Sequence, residues 1–351
     1  MKKIILTGGG TAGHVIPNIT LMPLLKKQGF SLFYVGSKNG LEKALVEFED
    51  VPYFGISSGK LRRYFDFRNF TDIFRILKGI WDSYRILGKT KPDVVFSKGG
   101  FVVVPLVFAA WLRGINVVVH ESDLSPGLAN RLVAPFAKAV LVSFPETLRY
   151  FPKSKTRLTG VPLRQDLQSA KRESGLRFLG FVDDGKPLLL ATGGSQGSKA
   201  INLCITTHLD ELLKSYRVVL LCGKGNHSGI HRDGFREYEV LNKDFPQVLK
   251  AADLVVSRAG ANTLFELLAL RKPNLLVPLT LKQSRGDQIV NAASFSERGF
   301  SAVLNEENLM DSFLTVLNSL YENRGKYEEA MGREAGIDAA SLIVSVILDN
   351  V

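Results

Sequence analysis

A glycine-dense loop, Gly8–Gly13, follows a short apolar segment near the start of the chain and ends beside His14. In a strand–loop–helix unit, the loop amides and the positive end of the helix dipole converge on an anion. The loop also matches the dinucleotide pattern G-x-G-x-x-G, which needs an acidic residue at the end of the second strand to hold a ribose diol. That strand ends here with Lys38. The loop therefore predicts an anion site but disfavours a dinucleotide.

Titratable side chains stand at two of the predicted strand ends. A neutral imidazole at His14 could take a proton near pH 7, although a histidine bonded locally at a helix start is the plainer interpretation. Ser97–Phe101 places a second glycine pair after a strand, and the next strand ends in His120 and Glu121. Open α/β sheets bind ligands at the carboxyl ends of their strands, so we expect these loops to line one rim. The His-Glu pair is either reactive there or orients a loop.

The second half of the chain repeats the strand–loop–helix pattern. Gly193–Lys199 is a further glycine loop, in which Ser195 adds a donor for phosphate. Ser257–Glu266 is a strand end, a loop of small residues and a helix start. Glu266 has two interpretations: a carboxylate that holds a ribose diol, or the partner of Thr263 in a capping box.

Polar residues at helical spacing give one further sugar candidate and no metal candidate. Gln288 and Asn291 lie three apart on one helix face, where their amides suit sugar hydroxyls or are simply solvated. His227 and His231 lie four apart, but Gly229 between them and the lack of a third ligand disfavour a metal site. The sequence therefore predicts no bound metal.

A basic amphipathic helix is predicted over Arg68–Lys89. Its apolar stripe consists of Phe70, Ile73, Phe74, Leu77, Ile80, Trp81 and Tyr84, and its basic residues include Arg75, Lys78 and Arg85. Such a helix usually faces a core and keeps its basic side in water. Because the aromatics are numerous and the flanks are cationic, we predict instead that the helix docks at an anionic bilayer surface.

Apolar strand-like runs alternate with helical patterns along the chain, which predicts β-α-β units and parallel sheets covered on both faces. The predicted strands are KKIILT, SLFYVG, DVVFSKGG, NVVVHE and AVLVSF in the first half and PLLLATGG, RVVLLCG, DLVVSRAG and PNLLVPL in the second. We therefore predict an α/β fold of two Rossmann-like domains that face each other across a cleft. Residues 1–162 form the first, with a terminal helix over 338–351 packed back on it, and residues 163–337 form the second.

The 351-residue chain carries a net charge of +11, concentrated in its first half. Residues 1–160 hold 23 Lys and Arg against 11 Asp and Glu, whereas residues 161–351 hold 22 against 23. This asymmetry predicts that the first half meets nucleic acid, acidic lipid or a phosphorylated substrate. The two cysteines fit a reducing compartment. The longest apolar run, Phe101–Leu112, is shorter than the roughly 20 residues of a membrane span.

Seven motifs in order along essentially the whole chain resemble those of the MurG N-acetylglucosaminyltransferases, which convert lipid I to lipid II in peptidoglycan synthesis. The motifs are GGGTAGHVIPN, SKGGFVVVP, HESDLSPGLANR, TGVPLR, GGSQGSKAIN, SRAGANTLFELLA and DQIVNA. The resemblance implies the glycosyltransferase B fold and an inverting transfer of N-acetylglucosamine from UDP-N-acetylglucosamine to the 4-hydroxyl of the N-acetylmuramyl group of lipid I. It also implies a peripheral position at the cytoplasmic face of the bacterial cell membrane.

The resemblance further implies the molecules that the chain meets. UDP-N-acetylglucosamine is expected as a substrate rather than a cofactor, and no tightly bound metal is expected. Undecaprenyl-linked lipid I, the anionic inner-membrane surface and other cell-wall synthesis proteins are the expected partners, and nucleic acid is not.

Carried over motif by motif, the resemblance implies roles for individual residues. The donor would contact Arg164, Ser195, Gln196, Asn242, Arg258, Ala261, Asn262, Thr263, Leu264, Phe265, Glu266, Gln288 and Asn291. Within that set Ser195, Arg164 and Arg258 would lie at the diphosphate and Glu266 at the ribose. The acceptor diphosphate would lie against Thr11, Ala12, Gly13, Gly99 and Gly100.

The resemblance also bears on the base and on one departure from the family pattern. His14 is the expected base for the acceptor hydroxyl, and Glu121 is its rival. Some family members have Gln-Asn-Gly after the His-Glu pair, whereas this chain has Ser122, Asp123 and Leu124. No role is therefore assigned to Asp123.

Four other interpretations compete with this one. Two are enzymes: a glycosyltransferase of the same fold with a different lipid or polysaccharide acceptor, and a sugar-nucleotide epimerase. A third is a non-catalytic, membrane-bound sugar-nucleotide sensor, which would bind without turnover. The fourth is a nucleic-acid binder, which the lack of an aromatic-and-basic recognition module disfavours.

Overall fold

The computed structural model describes residues 2–59, 68–194, 196–334, 336 and 338–351, and for residues 68–71 and 165 it describes the backbone alone. The chain divides into two compact units, one of Met1–Leu163 with Ile337–Val351 and the other of Arg164–Gly336. The first unit thus ends one residue after the boundary predicted from the sequence.

Strands and helices alternate through both units. The strands are β1 (Lys2–Thr7), β2 (Phe30–Ser37), β3 (Tyr53–Ile56), β4 (Val94–Ser97), β5 (Asn116–Glu121), β6 (Ala139–Val142), β7 (Thr156–Leu158), β8 (Leu188–Thr192), β9 (Arg217–Leu221), β10 (Phe235–Tyr238), β11 (Leu254–Ser257), β12 (Asn274–Leu276) and β13 (Ala302–Val303). The helices are α1 (Ala12–Lys27), α2 (Leu41–Glu47), α3 (Arg68–Thr90), α4 (Val103–Leu112), α5 (Leu128–Val133), α6 (Gln165–Ser169), α7 (Arg172–Leu179), α8 (Lys199–Thr207), α9 (Leu209–Ser215), α10 (Phe245–Ala251), α11 (Ala261–Leu270), α12 (Asp287–Glu297), α13 (Leu309–Glu322), α14 (Arg324–Glu334) and α15 (Ala339–Leu348). Short 3₁₀ turns lie at Ala134–Phe136, Pro145–Tyr150, Lys153–Lys155 and Glu306–Asn308.

The first unit is built on a parallel sheet in the order β3-β2-β1-β4-β5-β6-β7. Helices cover both faces, so the interior strands bury both sides and consist of nearly continuous Val, Ile and Leu. One core layer lies under α1, α2 and α15, and the other lies under α3, α4 and α5. The last helix, α15, packs against α1 and contributes Ile343 and Ile347 to the first layer.

The second unit repeats this plan with the parallel order β10-β9-β8-β11-β12-β13. Ile201 and Ile205 on α8 and Phe313 and Leu317 on α13 pack against the interior strands. In both sheets, the strand at which the chain order reverses, β1 or β8, is followed by a glycine loop and a helix. That is the place where doubly wound sheets bind ligands.

The predicted fold class of two parallel-sheet α/β domains is confirmed, with all nine predicted strands present. Four strands were missed, namely β3, β7, β10 and β13, and each is an edge of its sheet. No helix within the described residues combines the length and the apolar character that crossing a membrane requires.

Candidate active site

The two glycine loops of the first unit touch each other, as predicted for one rim. Gly9 N donates to Gly99 O at 3.3 Å across the ends of the neighbouring strands β1 and β4. A Cβ atom on Gly100, whose φ is +88°, would collide with the carbonyl of Gly9. The close approach of the two loops therefore requires glycine at position 100.

Buried polar side chains hold the first loop from beneath. Tyr34 Oη donates to Gly8 O at 2.7 Å, and Asn18 Nδ2 donates to Thr7 O at 3.1 Å and to Tyr34 Oη at 3.2 Å. Tyr34 and Asn18 are both completely buried, so these bonds are shielded from competing water. They join the end of β1, the middle of α1 and the adjacent strand β2 into one rigid corner.

An acidic residue also lies at this corner, which the sequence did not reveal. The buried carboxylate of Glu42, from the first turn of α2, accepts from Gly10 N at 3.3 Å, from Ser37 N at 2.8 Å and from Ser37 Oγ. A Cβ on Gly9 would lie 2.6 Å from Glu42 Oε1. Lys38 therefore follows the second strand, as expected, but a carboxylate reaches back to the same point. The Glu42 oxygens accept hydrogen bonds from protein groups, so Glu42 does not serve as the acidic residue that holds a ribose diol in dinucleotide sites.

His14 lies in the first turn of α1, and its ring is half-buried. Its Nδ1 atom is 3.0 Å from Gly9 O and 3.1 Å from Thr11 Oγ1. A carbonyl oxygen can only accept, so Nδ1 carries the proton and Nε2 carries the lone pair of the neutral ring. The local bond of the plainer interpretation is therefore present, and the tautomer that it fixes has its lone pair on Nε2.

The start of α1 is suited to an anion. Thr11 is its N-cap, with extended φ and ψ and no capping bond from its side chain, and the first turn contains no acidic residue. The amides of Ala12 and Gly13 belong to this first turn, the positive end of the helix dipole. Thr11, Ala12 and Gly13 therefore stand together at the loop, beside Gly99 and Gly100.

Glu121, the rival base, is buried and heavily bonded. Oε1 accepts from Asp123 N at 3.0 Å, and Oε2 accepts from Gly127 N at 2.9 Å and from Asn130 Nδ2 at 3.0 Å. These bonds fix both ends of the segment Ser122–Gly127, hereafter the rim loop. The contacts of Glu121 therefore fit a carboxylate that orients a loop.

His14 and the residues that hold the rim loop come together at Gly99. A Cβ atom on Gly99 would lie 3.4 Å from Cδ2 of His14 and 3.2 Å from Nδ2 of Asn130, which in turn donates to Glu121. The strand order β1-β4-β5 explains this, because these three carboxyl ends are neighbours in the sheet. The residues predicted at the rim of the first unit are thus brought together.

Lys98 and His120 form a buried pair that sequence reasoning did not foresee. Lys98 Nζ donates to His120 Nδ1 at 2.7 Å and contacts Ser122 Oγ, and His120 Nε2 donates to Gly160 O at 2.8 Å. Burial lowers the pKa of Lys98 to about 7 and, together with the nearby Lys98, holds the pKa of His120 well below its usual value. His120 is therefore a neutral ring that donates from Nε2. The only sequence signal was a lysine within an otherwise apolar strand end.

In the second unit, the predicted capping box is wrong. Helix α11 begins at Ala261 with Gly260 as its N-cap and without a side-chain cap, so Thr263 is the third helical residue. The amides of Ala261, Asn262 and Thr263 occupy the first turn, where no intrahelical acceptor exists. The donor contact predicted at Leu264 does not fit the structure. Its side chain is completely buried and its amide donates to Gly260 O at 3.0 Å, so neither group can reach a donor substrate.

Glu266 lies half-buried on α11, and no hydrogen bond reaches its carboxylate from the residues that the structure describes. Burial raises its pKa to about 7, with the Arg164 guanidinium opposing the shift and Asp166 adding to it. A carboxylate that is withdrawn from water yet has no protein donor is suited to ligand hydroxyls.

Arg164 and Asn242, both predicted at the donor, are brought together. Arg164 binds Asp166 through two nitrogens, at 3.2 and 2.9 Å, and donates to Asn242 O at 3.1 Å. This arginine is also close enough to Glu266 to act on its pKa. Among the remaining candidates, Phe265 packs edge-on against Phe295, Gln196 is exposed on its loop, and Ser195 lies outside the described residues.

Two predicted donor contacts are instead used inside the second unit. Arg258 is buried, donates to Val277 O at 3.0 Å and pairs with Glu306 at 2.6 Å, so its guanidinium already holds the chain beyond β12. Asn291 is completely buried and donates to Ala259 O at 3.2 Å. Arg258 and Asn291 thus hold neighbouring loops of the second unit, and their predicted contacts with the donor stay predictions.

Gln288 keeps a position at the surface of α12, unlike Asn291. Its Oε1 accepts from Leu279 N at 3.2 Å, which fixes the amide and leaves its NH₂ group as the part that can reach a sugar. The shared helix face predicted for Gln288 and Asn291 thus has one half-buried and one fully buried member.

The apolar stripe of α3 faces outward over much of its length. Ile73, Phe74, Leu77 and Trp81 are each at least half exposed, with Phe74 at 73% and Trp81 at 62%, and Arg75, Lys78 and Arg85 are exposed around them. The core-facing alternative is therefore wrong for these four residues. The side chain of Phe70 lies outside the described residues.

Helix α4 packs against α3 and has two exposed apolar residues of its own that sequence reasoning missed. Trp111 and Leu112, at the C-terminal end of α4, are about half exposed. They belong to the longest apolar run of the sequence, where the length of the run hid the fact that its end is at the surface. The exposed apolar side chains of α3, Ile73, Phe74, Leu77 and Trp81, are hereafter the apolar patch.

Two parallel-sheet units, each with a glycine loop at a strand end, have the glycosyltransferase B fold, and sequence comparison identifies the class of protein. The first unit matches the glycosyltransferase family 28 N-terminal domain over residues 4–142, and the second unit and α15 match the family 28 C-terminal domain over residues 188–346. No group of three or more His, Cys, Asp or Glu side chains placed to hold a metal ion occurs in the described ranges.

Individual relatives narrow the family. The chain is 51% identical over 349 residues to the UDP-N-acetylglucosamine--N-acetylmuramyl-(pentapeptide) pyrophosphoryl-undecaprenol N-acetylglucosamine transferase of Clostridium tetani, covering 99% of this chain and 97% of that protein. The protein of that name from Clostridium botulinum strain 657 is 52% identical over 336 residues, 95% of each chain. The crystal structure of Acinetobacter baumannii MurG superposes with a TM-score of 0.78 at 25% identity, covering 99% of this chain and 100% of that one. The chain belongs to the MurG family.

Proposed function

We propose that this chain transfers N-acetylglucosamine from UDP-N-acetylglucosamine to the 4-hydroxyl of the N-acetylmuramyl group of lipid I, which gives lipid II in peptidoglycan synthesis. The observation that carries the proposal is the 51% identity to named transferases of this specificity over 99% of the chain. The strand-end loops of the two units supply groups for a lipid-linked diphosphate and for a sugar nucleotide respectively.

The reaction is a single displacement with inversion, for which His14 is the base. Nε2 of His14 takes the proton of the acceptor hydroxyl as its oxygen forms a bond to the anomeric carbon of N-acetylglucosamine. The bond from that carbon to the β-phosphate oxygen breaks, and UDP leaves with the electron pair. The bond from Nδ1 to Gly9 O supports this role because it keeps the lone pair on Nε2.

Glu121 serves this reaction by position. Its two carboxylate oxygens accept three hydrogen bonds, from the amides of Asp123 and Gly127 and from the Asn130 side chain. We assign it to holding the rim loop beside His14, so His14 is preferred over Glu121 as the base.

The acceptor diphosphate lies against the first turn of α1 and the glycine pair after β4. Thr11, Ala12 and Gly13 offer the amide-rich end of a helix dipole, and Gly99 and Gly100 let the backbone approach closely. The Gly10 amide is not part of this cradle, because Glu42 accepts it.

The donor lies against the start of α11. Amides of Ala261, Asn262 and Thr263 stabilise the charge that develops on the departing UDP, and the Glu266 carboxylate accepts the ribose hydroxyls. Arg164, Asn242, Ser195 and Gln196 complete the nucleotide contacts, with Phe265 beside the helix, and Gln288 reads the sugar. The donor is consumed as a substrate, and no resident metal or organic cofactor takes part in the proposed steps.

The apolar patch docks the first unit on an anionic membrane surface, at the cytoplasmic face where lipid I is presented. Exposed aromatic side chains ringed by Arg75, Lys78 and Arg85 suit an interfacial helix, which enters the headgroup region without spanning the bilayer. This is a peripheral attachment.

The test is transfer of label. Purified protein is incubated with radiolabelled UDP-N-acetylglucosamine and a short-chain lipid I analogue, and label is followed into lipid. Transfer that depends on the analogue supports the donor and the acceptor together. Binding of the sugar nucleotide without transfer would remove the acceptor assignment, and absence of binding would remove both.

A further inference from the structure

The side chain of Lys98 is almost completely removed from water, although it lies at the carboxyl end of β4, directly before the Gly99–Gly100 pair. Burying an amine costs free energy, so a buried lysine is tolerated where its amine has fixed hydrogen-bond partners. Its two partners, His120 Nδ1 and Ser122 Oγ, lie at the end of β5 and at the first position of the rim loop. The reaction proposed above gives Lys98 no step.

The partners of Lys98 are connected to His14 through the rim loop, Glu121 and Asn130. Ser122 begins the rim loop, whose amides at Asp123 and Gly127 are held by Glu121. Glu121 also binds Asn130, which lies beside Gly99 and therefore beside His14. A displacement of Lys98 would thus move the rim loop near His14 and would leave the donor residues of the second unit unchanged.

We propose that Lys98 is a positioning residue for the acceptor: it fixes the rim loop through Ser122 and His120 and adds positive charge beneath the site that receives the anionic acceptor. The inference rests on the proposed function and deepens it, because it names the residue that governs acceptor affinity. The chemical class recognised is a diphosphate-linked acceptor.

The charge on Lys98 changes near neutral pH. Burial lowers its pKa to about 7, and the carboxylates of Glu121 and Asp123 act in the opposite direction. The titratable groups that face it are these two and His120, and His120 remains neutral because its own pKa is held well below the usual value. Below pH 7 the ammonium form therefore favours an anionic acceptor, and this advantage fades as the pH rises.

The experiment compares Lys98→Met with the wild-type enzyme and with Lys153→Met, an exposed lysine of the same unit. Acceptor KM and donor KM are measured separately at pH 6, 7 and 8.5 with the short-chain lipid I analogue. We expect Lys98→Met to raise acceptor KM about 10-fold at pH 6, the loss of one charged hydrogen-bonding group, and by less at pH 8.5. Donor KM and the Lys153→Met enzyme should match wild type.

A purely structural role for Lys98 predicts a different pattern, because it would raise acceptor KM by the same factor at every pH or would raise both KM values. Either of these results, or an unchanged acceptor KM, overturns the inference while leaving the proposed function in place. Failure of the wild-type enzyme to transfer label would remove both.

Ser122→Ala provides a second variant that keeps Lys98 and its charge. It removes one contact to the rim loop, so we expect a smaller rise in acceptor KM with the pH dependence of the wild type retained. An acceptor KM equal to that of the wild type would contradict the positioning role, even if Lys98→Met failed to fold.

Discussion

The starts of α1 and α11, one in each unit, share one architecture and differ in how the nearby carboxylates are satisfied. Around α1, Glu42 and Glu121 each accept three hydrogen bonds from protein groups. On α11, the Glu266 carboxylate accepts none from the described residues, and burial raises its pKa to about 7. The proposed acceptor site is therefore organised before any substrate arrives, whereas the proposed donor site has a carboxylate that a ligand would supply with hydrogen-bond donors.

This difference has an energetic consequence. Removing a fully bonded buried group costs stability and geometry together, because its former donors lose their partner. Removing a partly buried carboxylate that accepts no hydrogen bond relieves a desolvation penalty and costs its attraction to Arg164 and the ligand's contacts. Variants on the two sides should therefore separate in a plot of stability against activity.

The largest effect is expected on the acceptor side at His14. His14→Ala should lower kcat by about 10²–10⁴, as loss of a general base does. Donor affinity should stay unchanged, because the second unit supplies the donor contacts. The measurement is kcat at saturating concentrations of both substrates, with His231→Ala, an exposed histidine of the second unit, as the control. A kcat close to that of the wild type would exclude His14 as the base.

Glu121 tests whether the bonded carboxylates of the first unit are positioning groups. Glu121→Ala leaves the amides of Asp123 and Gly127 and the Asn130 side chain without their acceptor, so unfolding should become easier by about 2–4 kcal/mol, together with a fall in kcat. Urea unfolding followed by activity measures both. Glu121→Gln retains one acceptor oxygen and should recover much of kcat. If Glu121 were the base, Gln would be as inactive as Ala.

The comparison extends to the outer surface, since the apolar patch belongs to the first unit. Phe74→Ser with Trp81→Ser should weaken binding to vesicles of anionic phospholipid by about 10- to 100-fold, because two exposed aromatic side chains no longer enter the interface. Turnover of a water-soluble acceptor should not change. Co-sedimentation provides the measurement. Phe48→Ser is the control, because Phe48 is 88% exposed on the same unit but outside the patch. Equal binding by the double variant and the control would remove the docking role.

The parts of the fold that the sequence predicted are those in which burial dominates. Interior strands such as β4 and β6 are buried at every residue and form continuous apolar runs. The four edge strands were missed because each has a neighbouring strand on one side only. Short edge segments such as FREY in β10 can therefore carry charged residues, and their sequences resemble those of loops. Sequence pattern is thus informative where both faces of a strand are covered.

The candidate site shows the same limit at the level of side chains. The glycine loops and His14 are visible because their spacing is local. The bonds from Glu42 to Gly10 and from Lys98 to Ser122 join residues more than 20 positions apart, so only the strand order reveals them. For the same reason the sequence did not show that Arg258 donates to Val277 O or that Asn291 donates to Ala259 O.

Substitution of Glu266 should give the smallest effect on function, and it tests most directly whether the carboxylates near α1 and α11 differ. At pH 8, Glu266→Gln should weaken UDP-N-acetylglucosamine binding about 10-fold, because an amide has a single acceptor oxygen for the two ribose hydroxyls. The same variant should be more stable than the wild type, by about 1 kcal/mol or roughly 2–4 °C in Tm once its partial exposure is allowed for.

The pH dependence of that gain follows from the raised pKa. Below about pH 4.5 the carboxyl is protonated in both folded and unfolded chains, so the variant gains nothing. Between there and pH 7 the unfolded chain ionises first, so wild-type stability falls as the pH rises, and above pH 7 the penalty is complete. Calorimetry at pH 5 and pH 8, with exposed Glu297→Gln as the control, measures the gain, and titration of the nucleotide measures the loss. If Glu266→Gln instead lost stability at pH 8, the carboxylate would have protein partners after all, and the two helix starts would be organised alike.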